Sequence, residues 1–160
     1  MGAAISSGTV TVEHSTFTGC GIGLNLSGSA TVTGRRNTYT GNTNGVKTAG
    51  TVTFNDDGSH LMESSEHGVY VTAGTVRLTN CKLATLAAPS GSFLTDLFAA
   101  VMVTGGQANV YNCHLHNANT SDAIAGGEIS YCIRATGSSL VQWKNCVFTA
   151  ASDRKSTRLN

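Results

Sequence analysis

Proline occurs once in this 160-residue chain, tryptophan once, and charged side chains make up only 12% of it. No stretch is long and apolar enough to cross a bilayer. The opening "MGAAISSG" lacks the basic and apolar regions of a secretory signal. Gly2 with Ser6 fits a loose myristoylation pattern, but Gly2 also opens a repeat unit, which explains it better. The five cysteines include no C-x-x-C pair, so there is no zinc signature. What remains is rich in Gly, Thr, Ser, Val and Asn. That mixture suits many short strands joined by tight turns and suits helices poorly. At this length one domain with a substantial core is expected.

The last eight residues, "DRKSTRLN", are basic and carry no strand pattern. They resemble a sequencing adapter translated in frame. Residues 153–160 are therefore expected to be a non-native tail, with residues 1–152 the structural unit of a chain that continued further. Ten basic against nine acidic residues give a net charge of +1; without Asp153, Arg154, Lys155 and Arg158 the balance is seven to eight, or −1. Such a charge gives no argument for nucleic acid as a partner, and no membrane partner is expected either.

Internal repetition is strong. Short phrases "TNCKL", "YNCHL" and "KNCVF" recur, each ending a turn at an apolar residue. Those apolar landmarks are Phe17, Tyr39, Leu61, Leu83, Leu115 and Phe148, with three spacings of 22 residues and then 32 and 33. A second set of phrases opens each unit: "GAAISSG", "GLNLSG", "GVKTAG", "GVYVTAG", "AVMVTGG" and "CIRATGS". Six units follow, beginning near residues 2, 23, 45, 68, 100 and 132. Each reads as three short strands with alternating apolar and polar residues, so one face is buried. A unit this small encloses no core alone; stacked copies do. The expected fold is all-β: a right-handed, single-stranded parallel β-helix of about six coils, each strand pairing with its equivalent ~4.8 Å above.

The recurrent Asn-Cys pair then has a physical reading. Two residues before each landmark stand Ser15, Asn37, Ser59, Cys81, Cys113 and Cys146, small residues expected to point inward. One further back stand His14, Arg36, Gly58, Asn80, Asn112 and Asn145, at a corner that calls for positive φ, where Gly and Asn are tolerated best. Stacked Asn side chains are also able to hydrogen-bond one another along the axis. Cys81, Cys113 and Cys146 read as interior thiols, since parallel inward side chains meet the torsion requirement of a disulfide badly. Disulfide and metal-site readings stay open.

These corner and strand phrases, "NCxF/L" and "GVxVxxG", resemble those of right-handed parallel β-helix proteins, the pectate-lyase-like superfold. That group includes lyases, hydrolases, phage tailspikes, adhesins and silent scaffolds. The resemblance covers residues 2–152 and speaks to fold more than to activity. In such proteins, loops bordering the first sheet wall a groove where polysaccharide lies. Here two insertions, "LAAPSGSFLTDLFA" and "NANTSDAIAGGEIS", replace the same short connection and are expected side by side along that edge. The outward row of the first sheet is read as Ala4, Asn25, Lys47, Tyr70, Met102 and Arg134. Tyr70 suits stacking on a sugar ring, while Lys47 and Arg134 suit acidic sugars. Asp96, Asp122 and Glu128 are the nearby carboxylates, although Leu94, Leu97 and Phe98 also fit a plain cap over the coils.

The leading functional expectation is a glycan-contacting or scaffolding segment of a larger extracellular, cell-surface or virion adhesin. A polysaccharide or surface glycan would be its partner, and the tailspike analogy implies a homotrimer. The first alternative is a polysaccharide lyase or glycoside hydrolase, with Asp96 and Asp122 as the least scattered acid pair; a lyase would imply calcium. The second is a structural spacer. Lys47, Tyr70, Met102, Arg134 and Asp122 form the expected carbohydrate-binding set. Other polar groups are weighed against blander roles. His114 and His116 lie on one outward strand face at a chelating spacing, but their neighbour Lys82 opposes a cation, so no metal is assigned. His60 and His67 read as loop residues beside Glu63 and Glu66. Glu13, Arg35, Asp57 and Thr79 form an expected outer ion ladder, and "NDDG" suggests a bulge at Asp56 and Asp57.

Overall fold

A computed structural model describes residues 1–64, 66–85, 99–117 and 131–150. Within them the chain forms eighteen strands, three per coil, over six coils. Coil one comprises β1 (Ala3–Ile5), β2 (Thr9–Glu13) and β3 (Thr16–Thr18). Coil two comprises β4 (Ile22–Leu26), β5 (Thr31–Arg35) and β6 (Thr38–Thr40). Coil three holds β7 (Asn44–Thr48), β8 (Thr53–Asp57) and β9 (His60–Ser64). Coil four holds β10 (His67–Val71), β11 (Thr75–Thr79) and β12 (Lys82–Thr85). Coil five is built from β13 (Ala99–Val103), β14 (Gln107–Tyr111) and β15 (His114–Asn117). The sixth is built from β16 (Tyr131–Ala135), β17 (Leu140–Lys144) and β18 (Val147–Ala150).

Equivalent strands pair in parallel from coil to coil, giving three six-stranded sheets: β1-β4-β7-β10-β13-β16, β2-β5-β8-β11-β14-β17 and β3-β6-β9-β12-β15-β18. The protein is a parallel β-helix. The six apolar landmarks stack in one unbroken column, Phe17 to Tyr39 to Leu61 to Leu83 to Leu115 to Phe148. Period-2 alternation explains why: in "TVTV", "TFND" and "TVRL" every second side chain faces the axis, where only its own column can cover it. Val10, Val32, Phe54, Val76, Ala108 and Val141 form one such column of the second sheet. Packing is tightest in the middle coils, where Leu24, Tyr39, Phe54, Leu61, Leu78 and Leu115 are fully buried.

At the corner between the second and third sheets the backbone turns through positive φ in every coil: His14 49°, Arg36 50°, Gly58 70°, Asn80 56°, Asn112 53° and Asn145 55°. Each of the first five donates its amide to the carbonyl of the next coil, as in His14 to Arg35 (3.0 Å) and Asn80 to Tyr111 (3.1 Å). The side chains do not form the expected Asn ladder at Asn80, whose amide donates instead to Asp57 Oδ1 at 2.8 Å. A carboxylate in the coil below is the stronger acceptor, because a charged partner strengthens the bond.

Two further readings change. No bulge occurs at Asp56 and Asp57, which pair in continuous register with Gly34 and Arg35 below and Leu78 and Thr79 above. The irregularity lies one sheet on, between β9 and β12, where the register shifts after Leu83. His60 and His67 are strand residues rather than loop residues: His60 opens β9 and His67 opens β10.

Candidate functional site

Both long insertions run from the third sheet of one coil to the first sheet of the next, between β12 and β13 and between β15 and β16. Their end residues Ala99 and Asn117 belong to strands, while 86–98 and 118–130 lie outside the described residues. Asp96, Asp122, Glu128, Leu94, Leu97 and Phe98 are in those stretches.

Beside them the outward row of the first sheet is a continuous ladder: Ala4, Asn25, Lys47, Tyr70, Met102 and Arg134 pair one with the next. The strands alternate between a fully buried inner face and this half-exposed outer one. Lys47 Nζ sits 5.3 Å from the centroid of the Tyr70 ring, and Arg134 Cζ sits 5.4 Å from that of Tyr131. These cation–aromatic contacts hold two flat rings and two cations in place on one sheet. Arg134 Nη1 is buried and has no acceptor among the described residues. A buried guanidinium N–H without an acceptor is costly.

The same face carries a cluster that local sequence reading missed. His67, nearly buried, packs its ring 4.9 Å from that of Tyr70 at an interplanar angle of 59°. Asn44, its register partner on β7, donates to Glu66 Oε2 at 3.1 Å. Lys47 and His67 therefore both contact Tyr70 across two adjacent coils, and Glu66 is tied to the lower of them through Asn44. The one signal for it is the phase of the repeat, since the first strand of coil four begins at His67 rather than after it.

The other singled-out residues fall elsewhere. Ser15, Asn37 and Ser59 form a hydrogen-bonded inner column, with Ser15 N donating to Asn37 Oδ1 (3.0 Å) and Asn37 N to Ser59 Oγ (2.9 Å). In the upper coils Cys81, Cys113 and Cys146 take over; all are free thiols, and they donate to backbone carbonyls, Cys81 to Thr79 at 3.3 Å and Cys113 to Tyr111 at 3.2 Å. His114 Nε2 and His116 Nδ1 both meet the hydroxyl of Thr149, at 2.9 and 2.8 Å.

The outer ion ladder is reduced to one pair. Arg35 Nη1 lies 3.5 Å from Glu13 Oε1, with 62% and 41% of the two side chains exposed. Asp57, expected to extend the ladder, is the acceptor of Asn80. A solvated pair of this kind contributes about 0–1 kcal/mol. Glu13→Gln should therefore shift the denaturant midpoint by an amount equivalent to less than about 1 kcal/mol; a larger loss would mean the pair is not screened by solvent.

Searches for similar proteins return no matching family, curated protein or solved structure.

Proposed function

We propose that this chain is a glycan-contacting segment of the pectate-lyase-like kind, and that its first sheet is the binding face. The observation that carries the reading is the fixed ladder of Lys47, Tyr70, Met102 and Arg134. Long, flat and half-exposed, this ladder offers aromatic and thioether surface to the apolar faces of sugar rings. It also offers two cations to carboxylates. Successive rungs are spaced by the coil repeat, so an extended chain lying along the axis meets several of them at once. The ligand class is an acidic polysaccharide or surface glycan, and an extracellular, cell-surface or virion setting follows from that partner.

Tyr70→Ala and Arg134→Ala are each expected to weaken binding of a uronate-containing oligosaccharide by about tenfold or more, the equivalent of about 1.4 kcal/mol. Calorimetric titration against the same length of neutral oligosaccharide measures it. Affinity equal to the parent's in both variants, with unchanged circular dichroism, would sink this face as the site. Absence of any glycan binding in the parent protein would leave a structural spacer.

A second reading, a polysaccharide lyase or hydrolase, draws support from His67 beside Tyr70, whose ring Lys47 also meets, and from Glu66 held by Asn44 on the neighbouring coil. A carboxylate or imidazole for proton transfer next to a cation that neutralises a uronate is what such chemistry needs. Appearance of new reducing ends, lost in Glu66→Gln, would place it first.

A further inference from the structure

We propose a second ligand site, on the outward face of the third sheet, where His114 and His116 together chelate a divalent transition-metal ion. The ion is of the imidazole-preferring kind, such as nickel, copper or zinc. The site lies on a different sheet from the ladder of Lys47 to Arg134 and does not depend on the glycan reading.

Alternation along β15 sets the pair up. Leu115 is fully buried, so His114 and His116 on either side of it project outward from one face. The two rings also converge. His114 Nε2 lies 2.9 Å and His116 Nδ1 2.8 Å from one atom, the hydroxyl oxygen of Thr149 on the neighbouring β18. That hydroxyl holds both rings in a chelating arrangement before any ion arrives. A bound ion stands about 2.0–2.1 Å from each imidazole nitrogen, so both arms need only shorten slightly. They have room to do so, since His114 is exposed and His116 half-buried.

Register defines the surroundings. His116 is flanked by Ala84 and Thr149, and His114 by Lys82 and Val147. No third His, Cys, Asp or Glu joins the pair among the described residues, so the Thr149 hydroxyl and water complete the coordination. The ion takes a lone pair from each converging nitrogen, which leaves the ring protons on His114 Nδ1 and His116 Nε2. Lys82 is the opposing group, because its ammonium repels a cation and holds the affinity down. It is exposed, and a solvated charge on a flexible stem is screened, so it weakens the site without closing it.

Nickel chloride titrated calorimetrically into the untagged chain tests this. One ion per chain is expected to bind. His114→Gln and His116→Gln should each weaken binding about tenfold or more, since loss of a group that merely supports a metal ligand already costs about 10–100-fold. His60→Gln, two coils below on the same row, should leave it unchanged. Lys82→Glu reverses the opposing charge and should tighten it about tenfold. The five free thiols are the same in every variant, so differences among the variants belong to the substituted side chains. Loss in both chelate variants, with His60→Gln unaffected, supports the site. Binding that persists in either chelate variant, that falls equally in His60→Gln, or that is not saturable in the parent overturns it. A Lys82→Glu variant that binds no more tightly than the parent would place the ion elsewhere.

Discussion

Asp56→Asn is expected to make the protein about 3 kcal/mol more stable near pH 8 and to leave it nearly unchanged near pH 4. Asp56 is 2% exposed and lies on the inner face of β8, in a column of Val12, Gly34, Leu78, Val110 and Trp143. It has room there because Gly34, its neighbour below, carries no side chain: a Cβ on Gly34 would come within 2.4 Å of Asp56 Oδ1. Oδ1 accepts the Ser59 hydroxyl at 2.7 Å, but Oδ2 is buried with no partner among the described residues.

Burial in this apolar column pushes the Asp56 carboxyl up from its ordinary 3.8 to about 6, outweighing the bonds from Ser59 and the Asp57 backbone; the Asp57 charge adds to the rise. Nearby Tyr39 is pushed up by burial, and Cys81 by its bond with Cys113 and by burial, so both remain neutral. The folded state thus holds the Asp56 proton more tightly than the unfolded state does. Its contribution is fully present below pH 3.8, is lost as pH rises toward about 6, and stays lost above that. A difference of about two pKa units amounts to about 3 kcal/mol. Asparagine keeps the acceptor for Ser59 and removes the charge. Urea unfolding of both proteins across this range checks it. An Asp56→Asn variant less stable than the parent near pH 8 would show that the ionised carboxylate has a stabilising partner.

Leu83→Ala should cost about 2–5 kcal/mol and lower the melting temperature by roughly 4–20 °C. Leu83 is 1% exposed and stands mid-column between Leu61 and Leu115. Parallel ladders fix the backbone on both sides, so the site has little freedom to collapse around the void, and the cavity adds to the lost transfer energy. Phe17→Ala supplies the contrast. Phe17 stacks on Tyr39 with centroids 5.0 Å apart, but it belongs to the first coil and is only half-buried. Its loss should cost about 1–2 kcal/mol. Equal effects of the two substitutions would contradict a core that is tightest in the middle coils.

Much of this architecture was legible in the sequence because a solenoid repeats one local rule. A count back from each apolar landmark identified the positive-φ corner at Asn80, Asn112 and Asn145, and the alternation identified the outward row from Ala4 to Arg134. Both depend only on residues within one coil, where the periods of strand and repeat are visible. Other features required the stack itself. Local pattern makes "NDDG" look like a bulge at Asp56 and Asp57, and only pairing with Gly34 and Leu78 shows Asp56 in regular register and turned inward. His67 and Glu66 look like loop residues until the register of β10 on β7 sets them beside Asn44 and Tyr70. The reason is physical: which face a side chain takes in a strand is fixed by hydrogen bonds to the coils above and below, and a shift of one residue inverts it. The sequence by itself determined how many coils there are and where they turn; the contacts between coils decided which polar groups are buried and which face one another.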